Sequence, residues 1–312
     1  AAIKGAAFAN RDRGRHIVTT AIEHHAVLHP VEELVERFGF ETTIVPVDRR
    51  GIVDPDDIGQ AIRPDTTLLS VMWANNEIGT VQPVEEIAAI ARRRGVLVHV
   101  DAVQAAPFLG IDLATVPIDL LSVSAHKLYG PKGVGALVVR RGTPWWPLLT
   151  GGGQERNRRA GTENVAGIVG FSRALELVVA ERQSAAARLR GLRDVLIDGV
   201  LGRIAGSFLN GDRETRLPNN ANFSFDGVHG ESLLVGLDMA GVMASSGSAC
   251  TSGSLEPSHV LRAIGLPDAA AQSSLRLTLG RGTTEAEIQR TLETLVGLIE
   301  RQRTVAAGWR TP

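Results

Sequence analysis

The sequence predicts an α/β protein in which a mostly parallel β-sheet carries helices on both faces, followed by a smaller α+β region. Segments typical of strands and of helices alternate from the N-terminus to Lys127, which is the signature of a parallel sheet covered by helices. Several strands are near-continuous apolar runs, such as Val96–Val100, and such runs indicate burial on both faces. After about residue 204 the pattern becomes mixed, which favours a second, smaller region.

Apolar spacing and helix-terminating residues predict the elements of the first region. A helix with apolar residues at Val27, Val31 and Leu34 ends at Gly39. Asp54 suits the N-cap of a short helix. In chain order the predicted elements are a helix at Ala1–Asn10, a strand at Arg15–Thr20, the helix ending at Phe38, a strand at Glu41–Val47, a helix at Asp54–Ile62, a strand at Thr67–Trp73, a helix at Val84–Arg94 and strands at Val96–Val100 and Asp119–Ser124.

The second half of the chain begins with a glycine-rich, charged loop at Gly151–Asn164. A long connecting helix is predicted from Val165 to about Ile204. The elements predicted beyond it are strands at Ala221–Phe225 and Ser274–Leu279, a helix at Glu231–Met239, a polar loop at Ala244–Ser254, a helix after Pro257 and a last helix from Thr284 to about Val305. We therefore expect two domains, residues 1–180 and residues 181–312. Because the chain starts without Met inside a helical pattern, we also expect that a segment upstream of Ala1 is missing.

The composition excludes several classes of function. Lys and Arg number 33 against 34 Asp and Glu, a formal net charge of -1, which argues against a nucleic-acid groove or a membrane-surface patch. No apolar run is long enough to span a bilayer, and we expect a cytoplasmic protein. Cys250 is the one cysteine, so an intrachain disulfide and a multi-cysteine metal site are excluded. We expect small-molecule or protein partners and no metal.

The stretch Asp119–Gly135 places a lysine at the end of a buried strand. The strand ends at Ser124, and Gly130, Pro131 and Gly133 then turn the backbone away. Open α/β sheets bind ligands at the carboxyl edge, so Lys127 is a candidate Schiff-base nucleophile. The alternative is a solvated lysine at a strand terminus, which is more common than a catalytic lysine.

Polar residues follow two further predicted strands. Asn76 follows one of these strands, and Asp101 and Gln104 follow the next. Ser124 and His126 lie at the end of the strand that leads to Lys127. A pyridine-type cofactor needs a carboxylate on its ring nitrogen, donors to its phenolate oxygen and a phosphate site. Asp101 suits the first role, Asn76 and Gln104 the second, and Ser124 and His126 the third. Taken singly, these residues have ordinary explanations that are about as good. Asp101 could be a helix cap, Gln104 a surface amide and Asn76 a turn residue.

Seven motifs spread over nearly the whole chain resemble those of the cysteine desulfurases, the NifS/IscS group of class V, fold-type I pyridoxal-phosphate enzymes. They are IEHHAVL, NNEIGTVQP, HVDAVQ, SAHKLYGPKGVGAL, RAGTEN, SGSACTSGSLEPSHVL and SLRLTLGR. The resemblance implies that His24 stacks on the pyridine ring and that Lys127 is the Schiff-base lysine. It also implies that Thr162 reaches the phosphate of a neighbouring subunit, and hence a homodimer.

Cys250 and Arg276 complete the residues of chemical interest. A lone cysteine is usually a small buried hydrophobe, but the segment around Cys250 is small and polar, typical of a mobile loop with an ionisable thiol. By resemblance it accepts sulfur. Arg276 lies in a predicted strand, where a charge is expensive unless it meets an anion. By resemblance it binds the substrate carboxylate, together with Asn76; an internal salt bridge is the alternative.

The implied reaction converts L-cysteine to L-alanine, with Lys127 or His24 moving protons and Cys250 receiving the sulfur as a persulfide. An acceptor protein for iron–sulfur cluster assembly or tRNA thiolation would take the sulfur onward. A selenocysteine lyase or another class V enzyme would share the cofactor site, although the cysteine loop resembles that of the desulfurases. A truncated, inactive chain that only dimerises is the non-enzymatic alternative.

Overall fold

The computed structural model describes residues 1–246 and 256–308, which form two compact units. The first unit comprises residues 1–47, 52–75 and 81–182, and the second comprises residues 48–51, 76–80 and 183–312. The two short segments 48–51 and 76–80 thus belong to the second unit although they lie early in the chain. The domain boundary near residue 180 stays a prediction.

The first unit contains a six-stranded sheet. Its strands are β1 (His16–Thr20), β2 (Glu41–Val45), β3 (Thr66–Met72), β4 (Leu97–Asp101), β5 (Leu120–Ser124) and β6 (Gly135–Val139), in the spatial order β2-β1-β3-β4-β5-β6. The first five pair in parallel and β6 pairs antiparallel with β5. The predicted mostly parallel sheet is confirmed. The antiparallel edge strand β6 was not predicted.

The helices of this unit follow the predicted order, with end residues shifted by one or two positions. They are α1 (Ala2–Asn10), α2 (His25–Phe38), α3 (Pro55–Ala61), α4 (Val84–Arg93) and a short helical turn α5 (Gln154–Asn157) inside the predicted loop. Gly39 ends α2 in the left-handed conformation with φ 67°. Asp54 caps α3, accepting a hydrogen bond from the Asp56 N–H at 2.9 Å.

Burial explains why the sheet is rigid. All seven residues of β3 are buried, so both faces of this central strand are covered. On one face, small and branched residues of α1 and α2 pack on the strands in a single cluster that includes Ala7, Leu34, Ile17 and Leu68. A sheet packed in this way holds its strand ends in fixed positions.

The second unit contains a three-stranded antiparallel sheet, β7 (Ser207–Leu209), β8 (Asn220–Phe225) and β9 (Ser274–Thr278), in that spatial order. Its helices are α7 (Gly230–Met239), α8 (His259–Ala263), α9 (Asp268–Gln272) and α10 (Glu285–Gly308). The long helix α6 (Val165–Arg203) contributes to the first unit up to Arg182 and to the second unit from Gln183. The three-residue β7 and the short α9 were not predicted. No helix within residues 1–246 and 256–308 has the length and apolar character needed to cross a membrane.

Candidate active site

The carboxyl ends of the parallel strands bring the first group of predicted site residues to one edge of the sheet. Asp101, the last residue of β4, pairs in register with Met72, the last residue of β3, and with Ser122 of β5. His24 follows β1 by four residues, and Ser124 ends β5. Ligands of open α/β sheets bind at this edge. The structure therefore places this set where the sequence predicts a site.

Lys127 lies in a 3-10 turn, Ala125–Leu128, that begins directly after β5. The Gly130 N–H donates to the Ala125 carbonyl at 2.9 Å, and Tyr129 and Gly133 adopt φ of 61° and 78°. The lysine side chain is exposed. Its positive charge helps lower the pKa of both His24 and His126, so the ammonium group lies near both rings. The backbone thus delivers an accessible amine close enough to two imidazoles for its charge to lower the pKa of both.

His24 is a neutral ring with a fixed tautomer. Partial burial lowers its pKa most, followed by the charges of His25, Lys127 and His29. Its Nδ1 accepts a hydrogen bond from the Ala26 N–H at 3.0 Å, which caps α2. Because Nδ1 is an acceptor, the ring proton resides on Nε2. A neutral imidazole in this position can stack on an aromatic ligand and exchange a proton through Nε2.

Asp101 is the carboxylate at the centre of the edge. Its Oδ1 accepts a hydrogen bond from the Val103 N–H at 3.0 Å, while burial raises its pKa. Glu23 is fully buried nearby, and one of its oxygens accepts from the Thr20 hydroxyl at 2.6 Å and from the Met72 N–H at 2.8 Å. Burial raises the pKa of Glu23 to about 8, and the Asp101 charge adds to the rise. Both carboxyl groups thus have a raised pKa, and burial is the largest cause in each.

The remaining predicted residues of the first unit differ in how they are held. Ser124 Oγ and His126 Nδ1 form a hydrogen bond of 2.7 Å, and the pKa of His126 is lowered by desolvation and by Lys127 and Lys132. Gln104 is half-buried and Thr162 is exposed. Their contacts to a cofactor stay predictions.

Asn76 and Arg276 belong to the second unit, where they meet each other. Arg276 lies on β9 and donates from Nη1 to the Asn76 carbonyl at 3.1 Å. The salt bridge that was the alternative for Arg276 does not occur with any residue of the described ranges. Cys250 lies outside the described residues, so its role as sulfur acceptor stays a prediction.

Sequence reasoning missed three buried titratable residues. Glu23 follows Ile22 in the IEHHAVL motif, Glu77 precedes Ile78 in NNEIGTVQP, and His99 lies two residues before Asp101. His99 joins three strands, with Nδ1 2.8 Å from Ser70 Oγ and Nε2 2.9 Å from Ser122 Oγ, and burial lowers its pKa to about 3. The available signal was an ionisable residue beside branched apolar residues, within a strand for His99 and shortly after a strand for Glu23 and Glu77.

The donor set fits pyridoxal phosphate. A carboxylate, a neutral imidazole, a hydrogen-bonded hydroxyl–imidazole pair and an accessible amine share one sheet edge, and these groups match a pyridine nitrogen, an aromatic face, a phosphate and an aldehyde. Within the described part of the chain, no group of three His, Cys, Asp or Glu residues could hold a metal ion.

Comparisons with known proteins agree with this geometry. The aminotransferase class-V family matches residues 1–291. The cysteine desulfurase IscS of Dictyoglomus turgidum is 53% identical over 305 residues, covering 98% of this chain and 77% of that protein, and IscS of Clostridium botulinum is 51% identical over 310 residues, covering 99% and 78%. The solved structure of a NifS-like protein superposes with a TM-score of 0.88 at 38% identity, covering 96% of this chain and 79% of that one. The chain therefore belongs to the class V aminotransferase family and, within it, to the pyridoxal-phosphate-dependent cysteine desulfurases.

Proposed function

We propose that this chain converts L-cysteine to L-alanine and passes the sulfur to Cys250 as a persulfide. The observation that supports this most is the accessible Lys127 near two imidazoles, at the sheet edge that also carries Asp101.

Residues of the first unit, with Asn76 of the second, would hold the cofactor as follows. Asp101 binds the ring nitrogen, Gln104 with Asn76 the ring oxygen, and Ser124 with His126 the phosphate. His24 covers the ring face. Bound in this way, pyridoxal phosphate supplies an electron sink for charge that develops at the substrate α-carbon. The low-dielectric setting that raises the pKa of Asp101 also strengthens its bond to a protonated ring nitrogen.

The protein's own groups perform the proton transfers. Lys127 is the nucleophile toward the cofactor aldehyde and, once released as a free amine, a base for the α-proton. His24 exchanges a proton through Nε2, the nitrogen that does not cap α2. Arg276 binds the substrate carboxylate with its planar donor pair, a task that suits arginine better than lysine.

The sulfur step balances without an external oxidant. The Cys250 thiolate attacks the substrate sulfur, an S–S bond forms, and the substrate's C–S bond breaks. The β-carbon gains a proton, so L-alanine leaves and Cys250 carries the persulfide. An acceptor protein then takes the terminal sulfur; we propose iron–sulfur cluster assembly or tRNA thiolation as the destination.

A homodimer is part of the proposal. Thr162 is exposed three residues before α6, and the first turns of α6 expose apolar side chains, among them Val165, Val169 and Val179. Exposed apolar surface of this kind commonly marks a protein–protein contact. This supports a second subunit whose cofactor Thr162 would reach, and sedimentation analysis tests it.

Replacing Lys127 by Ala tests the proposed function. We expect L-alanine formation from L-cysteine to fall by at least about a thousandfold, because the amine serves as both nucleophile and base. Lys132→Ala is the matched control, since Lys132 is exposed in the same turn region and should retain activity. Turnover by Lys127→Ala near the parent rate would contradict the assignment. In Cys250→Ser, added sulfur should be missing from the peptide that contains position 250, as measured by mass spectrometry.

A further inference from the structure

The segment Asn76–Thr80 lies against the small sheet of the second unit. Asn220 and Asn222 of β8 donate from their side-chain nitrogens to the Glu77 carbonyl at 3.3 and 3.2 Å. Gly79 has φ 77°, and a Cβ there would lie 2.7 Å from Asn220 Oδ1. The segment therefore has little freedom to move away from β8.

The Glu77 carboxyl group is enclosed in this contact. Glu77 is 5% exposed, and its Oε2 accepts a hydrogen bond from Ser258 Oγ at 2.5 Å. Ser258 also caps α8, accepting from the Val260 N–H at 3.1 Å. Arg276 donates to the Asn76 carbonyl, the peptide group that joins Asn76 to Glu77. One short segment thus holds a buried carboxyl group beside the guanidinium proposed to bind the substrate.

The charges of these two groups are coupled. Burial raises the pKa of Glu77 to about 7, against the lowering effects of the Ser258 hydrogen bond and of the Arg276 charge. Near neutral pH the group therefore exists in both protonation states. Because an attraction between two sites is reciprocal, the charge on Glu77 also changes how strongly Arg276 attracts another anion.

We propose that Glu77 is a positioning residue that sets the affinity of Arg276 for the substrate carboxylate: the ionised Glu77 competes for the guanidinium charge, and the protonated Glu77 leaves that charge to the substrate. The proposal rests on the assignment of Arg276 to the carboxylate. Binding of the substrate carboxylate is then linked to uptake of a proton by Glu77.

Groups from three elements lie around Glu77, and in the proposal Glu77 is the one that titrates. The β9 strand presents Arg276, the β8 strand presents the uncharged Asn220 and Asn222, and α8 presents the uncharged Ser258 hydroxyl, followed by His259 at the start of the helix. Glu77→Gln keeps an oxygen that can accept from Ser258 and removes the titration. Glu293→Gln, on the exposed face of α10, is the matched control.

The test measures propionate, a carboxylate without amine or thiol, as a competitive inhibitor of L-cysteine turnover by the cofactor-loaded protein. For the parent and for Glu293→Gln, we expect the inhibition constant to rise about threefold to tenfold between about pH 6 and about pH 8, since the rise cannot exceed tenfold per pH unit for one proton. For Glu77→Gln we expect tight inhibition that does not follow this rise, together with a lower KM for L-cysteine at an unchanged kcat. Circular dichroism checks that the variant is folded.

A second variant shifts the titration instead of removing it. Ser258→Ala deletes the hydrogen bond that lowers the pKa of Glu77, so the change in inhibition should move to higher pH. Identical pH dependence in the parent and Glu77→Gln would overturn the proposal. Propionate inhibition that Arg276→Ala leaves unchanged would overturn it together with the role of Arg276, whereas L-alanine formation by the parent tests the desulfurase reaction separately.

Discussion

Among the residues that the structure describes, each compact unit holds one buried glutamate, and the two differ in the charge beside them. Glu23 in the first unit lies near Asp101, and its pKa rises to about 8. Glu77 in the second unit lies near Arg276, and its pKa rises only to about 7. Burial is the largest cause of the rise in both. The neighbouring charge acts in opposite directions in the two cases: the Asp101 charge adds to the rise at Glu23, and the Arg276 charge opposes it at Glu77.

The difference has a consequence for each site. Beside Asp101, burial keeps Glu23 mostly protonated at neutral pH. Beside Arg276, Glu77 can gain or lose a proton as other anions arrive. Three predictions test the contrast, from the largest expected effect to the smallest.

Glu23→Gln should stabilise the folded protein increasingly as the pH rises. The folded-state pKa of about 8 exceeds the unfolded value of 4.5, so folding must retain a proton that the unfolded chain releases. The resulting loss in the free energy of unfolding is absent below about pH 4.5, grows up to about pH 8 and is then constant. The gain of Glu23→Gln over the parent should grow by roughly 4 kcal/mol across this window. Denaturant unfolding at several pH values measures it, and a gain independent of pH would mean that Glu23 is ionised in the folded protein.

Glu77→Gln should show a smaller gain in the free energy of unfolding, over a narrower pH range. Its folded-state pKa of about 7 lies closer to the unfolded value of 4.5, so the gain should grow by roughly 3 kcal/mol between about pH 4.5 and about pH 7. Between about pH 7 and about pH 8 the gain of Glu77→Gln has levelled off while that of Glu23→Gln still rises. If the stability gain of the two variants depended on pH in the same way, the difference between the two glutamates would be contradicted.

The sequence predicted the parallel strands of the first unit and the residues at their ends, because apolar runs and alternation with helices are local signals. It did not predict β6, since the run Gly135–Val139 reveals its antiparallel pairing only once β5 and the intervening turn are placed. Nor could the protonation states of Glu23 and Glu77 be predicted from the sequence. Those states depend on burial and on Asp101 and Arg276, which are distant in the chain.

The smallest expected effect comes from removing the charge beside Glu23. The Asp101 charge is the least of the four influences on Glu23, after burial and the hydrogen bonds from Thr20 and Met72. Asp101→Asn should therefore lower the pKa of Glu23 only slightly below about 8, because burial remains. Arg276→Gln should act in the opposite direction on Glu77 and raise its pKa.

Carbon-13 NMR of glutamate-labelled protein measures both titrations under the same saturating cofactor concentration, with Glu23→Gln and Glu77→Gln used to assign the two signals. If Asp101→Asn moved the Glu23 titration upward, or if Arg276→Gln moved that of Glu77 downward, the neighbouring charge would not be what separates the two glutamates. Shifts in the expected, opposite directions would show that the Asp101 charge raises the pKa of Glu23 and the Arg276 charge lowers that of Glu77, while burial remains the largest cause of both raised values.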